Sequence, residues 1–306
     1  MRIEDIGFSW WCVSDGGWFR VRGAGGWRLR RSYDRVREMA SGDELGLASA
    51  GAGRGMRLLV LDTCGTDGSM VLVEAGDAAG LEGAPVRLDG GPTIVATATF
   101  PGRSSSERLL PELRAMLGAT GWRLGELAAI GVVSGPGSFT GVRVGVAAAK
   151  GMCEGAGVPL VMVSRLAVLA EKAGGRDVMG EDGSREYGVG QALLDAGRGE
   201  VFYGRFETGA AAPIEALLAR EEVLAEVRSR GRVGVGRVAV CEEEVRTAFA
   251  ELDPVMVGPL SAADAVPLVV ARVGRGAFDD VAAADGNYLR RTDLEMLARL
   301  GQRSAG

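Results

Sequence analysis

The sequence contains no histidine among its 306 residues. Histidine is the side chain most often used as a general base and as a metal ligand, so its absence excludes serine–histidine and cysteine–histidine hydrolase mechanisms. The four cysteines, Cys12, Cys64, Cys153 and Cys241, have no C-x-x-C spacing. They are therefore predicted to be free thiols in a reducing, cytoplasmic compartment, and no metal site is expected.

Long apolar runs and lysines are also scarce. No run approaches the about 20 apolar residues that span a membrane, so we expect no membrane contact. Lysine occurs only as Lys150 and Lys172, and the formal net charge is −5 with a pI near 5.2. A protein that binds tRNA or DNA by itself normally carries a basic face, so independent nucleic-acid binding is disfavoured. The chain is 47% hydrophobic, which is enough to build two packed domains.

Residues 1–55 differ from the rest of the chain. Most of the tryptophans lie there among glycines and arginines, without a sustained apolar period. We interpret this segment as an extension outside the core fold, with Met56 as the natural start. The alternative is a genuine, lineage-specific appendage. In either case, the fold is predicted from residue 56 onward.

The most informative stretch is residues 130–151. An apolar strand at 130–133 is followed by a glycine-rich turn and then by a helix that runs to about residue 154. The turn consists of Ser134, Gly135, Pro136 and Gly137, and the helix cap is either Ser138 or Thr140. Such a unit points backbone N–H groups and the positive end of a helix dipole at a site for an anion. The spacing matches neither G-x-G-x-x-G nor the P-loop, so it does not identify a nucleotide site by itself.

The same helix carries small residues at a regular interval. Gly141, Gly145 and Ala149 are spaced four residues apart, and glycine inside a helix costs up to about 1 kcal/mol relative to alanine. A sequence that accepts this cost twice needs another element close to the helix backbone. Three explanations stay open: packing within the domain, contact with a second protein, and contact with a nucleotide.

The order of predicted elements from Met56 is three strands, a helix, a strand, a helix, a strand and a helix. This α/β order is that of the ribonuclease-H-like unit of the actin, Hsp70 and sugar-kinase superfamily. Ser104 and Glu107 fit a capping box at the start of the first helix. Pro111 is expected to kink that helix or to mark a later start.

A strand that ends on an aspartate occurs twice. The strands ending at Asp62 and Asp195 are each followed by a tight turn and a returning strand. We interpret them as equivalent positions of an internal duplication, with domain 1 at 56–173 and a degenerate domain 2 at 174–306. The C-terminal helix either belongs to domain 2 or returns to domain 1.

In the two-lobed ATPases of this superfamily, each such turn faces the nucleotide phosphates, and its carboxylate holds Mg²⁺ or a water bound to it. The turn after Asp195 lacks a hydroxyl like that of Thr63, and no adenosine-binding segment is evident. Asp62 is either a turn-capping residue or a residual nucleotide contact, and turn capping is preferred for Asp195. The vestigial phosphate-proximal set is Asp62, Thr63, Ser134, Gly135, Gly137, Ser138, Thr140 and Asp195.

Several motifs together resemble one family. They are S-G-P-G-S-F-T-G-V-R-V-G-V-A-A-A-K-G at 134–151, Leu61-Asp62-Thr63, Arg108-Leu-Leu-Pro111, the segment from Leu194 to Tyr203, and Tyr288-Leu289-Arg290. This set is similar to the signature of the TsaB, or YeaZ, family, and the resemblance covers residues 56 to about 297. It implies a non-catalytic subunit that pairs with TsaD and works with the ATPase TsaE. The complex transfers threonylcarbamoyl from threonylcarbamoyl-AMP to the adenosine next to the anticodon of tRNAs that read A-starting codons.

The resemblance also implies partners and contact residues. A heterodimer with TsaD, or a homodimer when the protein is alone, would use Leu109, Leu113, Met116, Gly141, Val142, Gly145, Val146 and Ala149. The tRNA would be contacted indirectly, through the complex. No cofactor is required, and ATP or ADP with Mg²⁺ at the subunit interface is left open. Ser105 stands where the family commonly has a histidine, so only helix capping is expected there. The alternative function is an independent ATPase or a peptidase-like protein.

Overall fold

The structure is a computed structural model that describes residues 18–23, 26–31, 55–75, 91–174, 178–179, 185–186, 189–206, 213–229 and 237–289. The chain forms two units, Met1–Ser49 and Ala50–Gly306. In the first unit, β1 (Trp18–Gly23) and β2 (Gly26–Arg31) pair as an antiparallel hairpin. The expectations for the other residues up to 54, and for the motif at Arg290 and beyond, lie outside the described residues.

A five-stranded sheet forms the centre of the first lobe. Its strands lie in the order β5-β4-β3-β6-β7. The central strand β3 pairs antiparallel with β4 and parallel with β6. Residues 58–61 of β3 are fully buried, and burying each such side chain contributes about 1.5–3 kcal/mol. The strands are β3 (Met56–Asp62), β4 (Asp67–Ala75), β5 (Thr93–Pro101), β6 (Ala129–Val133) and β7 (Leu160–Val163).

Three helices of the described residues pack on the sheet of the first lobe. The helix α1 (Ser105–Thr120) packs on β5 and α2 (Phe139–Ala156) packs on β6, whereas α3 (Arg165–Lys172), which follows β7, packs on the sheet of the second lobe. The last helix of the described residues, α6 (Ala262–Gly274), packs across β3, β4, β6 and β7. It therefore returns to the first lobe, where Ser69 Oγ accepts the backbone N–H of Ala262 at 2.8 Å.

The second lobe repeats the first. Its strands lie in the order β12-β11-β10-β13-β14, with β10 antiparallel to β11 and parallel to β13. The predicted α/β fold with duplicated ribonuclease-H-like lobes is confirmed. The elements are β10 (Val189–Gly197), β11 (Glu200–Arg205), β12 (Ile214–Ala219), α4 (Arg220–Ser229), β13 (Arg237–Val240), α5 (Glu243–Ala248) and β14 (Val255–Met256).

The sequence-based prediction missed several strands. The strand β12 has the sequence I-E-A-L-L-A, whose residues are mostly strong helix formers, and its pairing with β11 overrides that local preference. In the loop predicted at 174–188, β8 (Val178–Met179) and β9 (Arg185–Glu186) pair as a short antiparallel ladder. Within the described ranges, no helix is both long and apolar enough to cross a membrane.

The start of α1 differs from the prediction. Ser104 Oγ donates to the carbonyl of Pro101 at 2.9 Å and makes no bond to the helix N–H groups, so the capping box is wrong. A 3₁₀ turn at 102–104 precedes the helix, and it already provides an acceptor for the N–H of Ser105. The later start at Pro111 is also wrong, because α1 begins six residues earlier.

Candidate functional site

The first turn follows β3 and is closed by Asp62. Its Oδ1 accepts the backbone N–H of Cys64 at 2.8 Å, and the residue is only 1% exposed. Burial raises the pKa of Asp62, and the positive charge of Arg165 offsets part of this rise. Taking a carboxylate out of water penalises its charged form, whereas a nearby cation favours that form. Asp62 therefore caps a turn inside the lobe.

Thr63 joins the first turn to α2. Its Oγ1 donates to the carbonyl of Gly141 at 2.6 Å. A Cβ on Gly141 would lie 1.9 Å from the carbonyl oxygen of Thr63, and a Cβ on Gly145 would lie 2.3 Å from Thr63 Oγ1. Only glycine allows these approaches. Of the three explanations for the small residues of this helix, packing within the domain is the one that the contacts support.

The residues predicted as a partner interface are core residues. Each is at most 6% exposed where a value is given, and both glycines are buried. The prediction that this face receives a second protein is therefore wrong. The physical reason is that α1 and α2 turn these side chains toward the central sheet, whose apolar surface they cover. The residues concerned are Leu109, Leu113, Met116, Gly141, Val142, Gly145, Val146 and Ala149.

The second turn links β6 to α2. Ser138 Oγ accepts the N–H of Gly141 at 3.3 Å, so Ser138, and not Thr140, is the N-cap of the helix. The two turns contact each other directly. The N–H of Ser138 donates to the carbonyl of Cys64 at 2.9 Å, and a Cβ on Gly137 would lie 2.4 Å from the same oxygen.

Arg165, the first residue of α3, lies against both turns and was not among the predicted site residues. Its Nη1 donates to the carbonyl of Cys64 at 3.3 Å. A Cβ on Gly65 would lie 2.8 Å from Nη2, and a Cβ on Gly137 would lie 3.2 Å from Nη1. A helix dipole disfavours a cation in the first turn, so an arginine directly after the cap Ser164 was a signal that could have found it.

The hairpin of the second lobe faces the same space. Asp195 Oδ1 accepts the N–H of Gly197 at 2.9 Å, and its side chain is exposed. Burial raises the pKa of Glu242, just after β13, and Arg165 offsets part of the rise. The Oε2 of Glu242 and the Nε of Arg165 are both buried and have no hydrogen-bond partner in the described part of the chain.

Together these elements line a cleft between the lobes with a volume of about 1330 Å³. Only half of the predicted phosphate-proximal residues reach it. Gly137, Ser138, Thr140 and Asp195 line the cleft. The remaining four are buried behind its wall: Asp62, Thr63, Ser134 and Gly135. Contrary to the prediction, these four do not reach the cleft. Asp62 and Thr63 are covered because the first turn packs under α2 and Arg165. The carbonyls of Ser134 and Gly135 accept the N–H groups of Asn287 and Arg165, both at 2.7 Å.

The cleft does not fit the magnesium–nucleotide of the superfamily's ATPases. Asp62, the carboxylate expected to hold Mg²⁺, is buried, and the guanidinium of Arg165 lies against its turn. A divalent cation there would face a fixed positive charge. Across the described ranges, no three side chains of the metal-ligating types come together. Charged residues of the described chain line the cleft in equal numbers: Arg103, Arg165 and Arg198 against Asp67, Asp195 and Glu242.

Other reactive groups have structural roles. Ser105 Oγ donates to the carbonyl of Gly102 at 2.8 Å, so it stabilises the turn before α1 and does not cap the helix as expected. Lys150 Nζ donates to the carbonyl of Ala284 at 2.7 Å, which ties α2 to the C-terminal segment. Burial raises the pKa values of Cys153 and Cys241 to about 12, so neither is a thiolate at neutral pH.

Two lobes of the same topology with a cleft between them define a protein of the actin-like, ribonuclease-H-like ATPase fold. Two solved structures from Pseudomonas aeruginosa are similar to this chain. One is YeaZ, with a TM-score of 0.52 and 25% identity, covering 76% of this chain and 100% of YeaZ. The other is an uncharacterized protein with similarity to peptidase YEAZ, with a TM-score of 0.53 and 25% identity, covering 77% of this chain and 100% of the other.

Residues 99–305 match the family model of TsaD, described as tRNA N6-adenosine threonylcarbamoyltransferase. The chain belongs to this family, and within it to the TsaB (YeaZ) proteins. It is 34% identical over 107 residues to TsaB of Escherichia coli and 33% identical over 116 residues to TsaB of Bacillus subtilis. These alignments cover 34% and 38% of this chain but only 42% and 46% of the relatives, so the chain spans less than half of their length.

Proposed function

We propose that the chain is a non-catalytic subunit of the system that forms threonylcarbamoyladenosine in tRNA, and that it pairs with a TsaD protein. TsaD carries out the transfer from threonylcarbamoyl-AMP to the adenosine next to the anticodon, TsaE assists, and the tRNA is contacted through the complex. The observation that carries the proposal is the first turn, where Asp62 is buried and Arg165 occupies the adjoining space. A lobe whose ATPase-type carboxylate is buried keeps the shape of its catalytic relatives without their reactive group.

The surface proposed for pairing is the exposed side of α1 and α2, which we call the outer face. Leu110 on α1 is 57% exposed and presents an apolar side chain to solvent. On α2, Arg143, Ala147 and Gly151 follow each other at intervals of four residues, and all are exposed. A Cβ on Gly151 would meet no atom of the described chain within 4 Å. Small exposed residues allow a partner helix to approach closely, so the outer face replaces the buried face as the proposed contact.

Reconstitution tests the proposal. TsaD, TsaE, threonylcarbamoyl-AMP and unmodified tRNA are incubated with and without this chain, and threonylcarbamoyladenosine is measured by mass spectrometry of the digested tRNA. We expect the product only when the chain is present together with TsaD. Unaltered modification in its absence contradicts the subunit role. Product formed by the chain in the absence of TsaD contradicts its assignment as non-catalytic.

A further inference from the structure

The guanidinium of Arg165 lies against the first turn, which in the ATPases of this superfamily faces the phosphates of the bound nucleotide. We propose that Arg165 is the permanent counter-ion of Asp62 and takes the place of a divalent cation there, so that the cleft does not take up a magnesium–nucleotide. This proposal concerns the cleft of this chain alone. It shares the observation of the first turn with the proposed function, but it does not concern pairing with TsaD or nucleotide bound at a subunit interface.

The first argument is the position of the two charges. Asp62 Oδ1 accepts the N–H of Cys64, and Arg165 Nη1 donates to the carbonyl of the same residue. The carboxylate and the guanidinium thus hold opposite ends of one residue in the first turn. Asp62 is 1% exposed, and a buried carboxylate requires a compensating charge close by. Arg165 supplies that charge from within the chain.

The second argument is the space around the guanidinium. Gly65 has an ordinary backbone conformation, with no positive φ that would call for glycine. Its missing Cβ would nevertheless lie 2.8 Å from Arg165 Nη2, and the next nearest atom is the carbonyl oxygen of Asp67 at 3.5 Å. The guanidinium therefore occupies the space beside Gly65, and a Cβ at this position would require the end of the arginine side chain to shift.

The third argument is the charge of the cleft. Among the described residues that line it, three arginines face three carboxylates, so the wall is balanced without a metal. Mg²⁺ is normally bound through one or two carboxylates and keeps several water ligands. Next to Arg165 it would lose Coulomb energy, and Asp62 is buried behind the wall of the cleft.

A double-mutant cycle on the full chain tests the position of Arg165. Gly65→Ala displaces the guanidinium from its place beside the first turn and should lower the thermal midpoint by about 2 °C. In the Arg165→Met background the space at Nη2 is free, and the same Gly65→Ala should be neutral or slightly stabilising, because alanine restricts the unfolded chain. Gly151→Ala, which points into open space, is the matched control and should not lower the midpoint. Equal effects of Gly65→Ala in both backgrounds overturn the proposal.

Ligand addition tests the second part of the proposal, that the cleft does not take up a magnesium–nucleotide. The thermal midpoint of the wild-type chain is measured with EDTA, with Mg²⁺, with ATP in EDTA and with Mg²⁺ and ATP together. We expect the same midpoint in all four conditions, because a ligand stabilises only the state that binds it. A rise that requires both Mg²⁺ and ATP, and that is confirmed as one-site binding by calorimetry, overturns the proposal.

Discussion

Asp62 and Asp195 close equivalent turns of the two lobes with the same hydrogen bond, at 2.8 Å to the N–H of Cys64 and at 2.9 Å to the N–H of Gly197. Their surroundings differ. Asp62 is 1% exposed and is influenced by Arg165, whereas Asp195 is exposed at the cleft. The same turn is thus a buried structural element in one lobe and part of the cleft surface in the other.

This difference predicts unequal stability losses. Asp62→Ala removes the acceptor of a buried N–H and the counter-ion of Arg165, and should cost about 3 kcal/mol of unfolding free energy. Asp195→Ala removes an exposed cap and should cost less than about 1 kcal/mol. Urea unfolding followed by circular dichroism measures both. Equal losses would contradict the assignment of Asp62 as a buried structural residue.

The two sides of α2 predict opposite results for the same substitution. Gly145→Leu drives a side chain into Thr63 Oγ1, 2.3 Å from the Cβ position, so the chain should be unstable or fail to fold. Gly151→Leu extends into open space and should leave the thermal midpoint unchanged or raised, since leucine is the better helix former. Placed on the outer face, the same leucine should prevent the heterodimer with TsaD.

Size-exclusion chromatography of purified Gly151→Leu with TsaD checks the pairing. The control is Gly258→Leu, an exposed position between β14 and α6 whose Cβ also meets no atom of the described chain within 4 Å. The control should elute as the heterodimer. A normal heterodimer peak for Gly151→Leu would show that the outer face of α2 is not the contact.

The pairing of Asp62 with Arg165 predicts a pH-dependent stability difference. The pKa of Asp62 is raised in the folded state, so stability falls as pH rises from the ordinary value of 3.8 through the folded value. Arg165 limits this fall. In Arg165→Met this limit is absent, so the fall in stability continues to higher pH. The loss of unfolding free energy relative to wild type should therefore be smaller near about pH 4 than near about pH 8.

The charged groups around this pair determine the control. Cys64 and Asp264 also shift the pKa of Asp62, and Arg165 lowers the pKa of Glu242 as it lowers that of Asp62. Adding Asp62→Asn to Arg165→Met should therefore reduce the pH dependence of the deficit without abolishing it. Unfolding free energies across the pH range give the comparison. A deficit that is constant with pH would indicate that Arg165 acts only through packing.

Lys150 is predicted to hold the C-terminal segment on α2. Its Nζ donates to the carbonyl of Ala284, and a few residues later the N–H of Asn287 donates to the carbonyl of Ser134 at 2.7 Å. Lys150→Met should accelerate hydrogen exchange at Asn287, because local opening becomes easier. Lys172→Met is the control, since Lys172 contacts Pro259 and Asp264 instead. Equal hydrogen-exchange rates at Asn287 in wild type and Lys150→Met would contradict the prediction that Lys150 holds the C-terminal segment.

Much of the first lobe could be predicted from local patterns. The strand at 130–133, the glycine turn and a helix capped by Ser138 or Thr140 follow from short-range rules, and in the structure Ser138 is the cap. The duplication was visible because a strand ending on aspartate occurs twice. The strand β12 was missed because its composition favours a helix and its partner strand supplies the decisive hydrogen bonds. Arg165 was missed because its contact lies 101 positions away, at Cys64.

The amino-acid sequence by itself determined the order of elements from residue 56 to 173, the α/β class and the absence of histidine chemistry, since each depends on composition or on neighbours along the chain. Only the tertiary structure decided the direction in which α2 turns its small residues. The stripe of Gly141 and Gly145 faces Thr63, and the stripe of Ala147 and Gly151 faces outward. Both stripes have the same spacing, so the sequence could not separate them. The rotation of a helix about its axis is set by the sheet on which it packs.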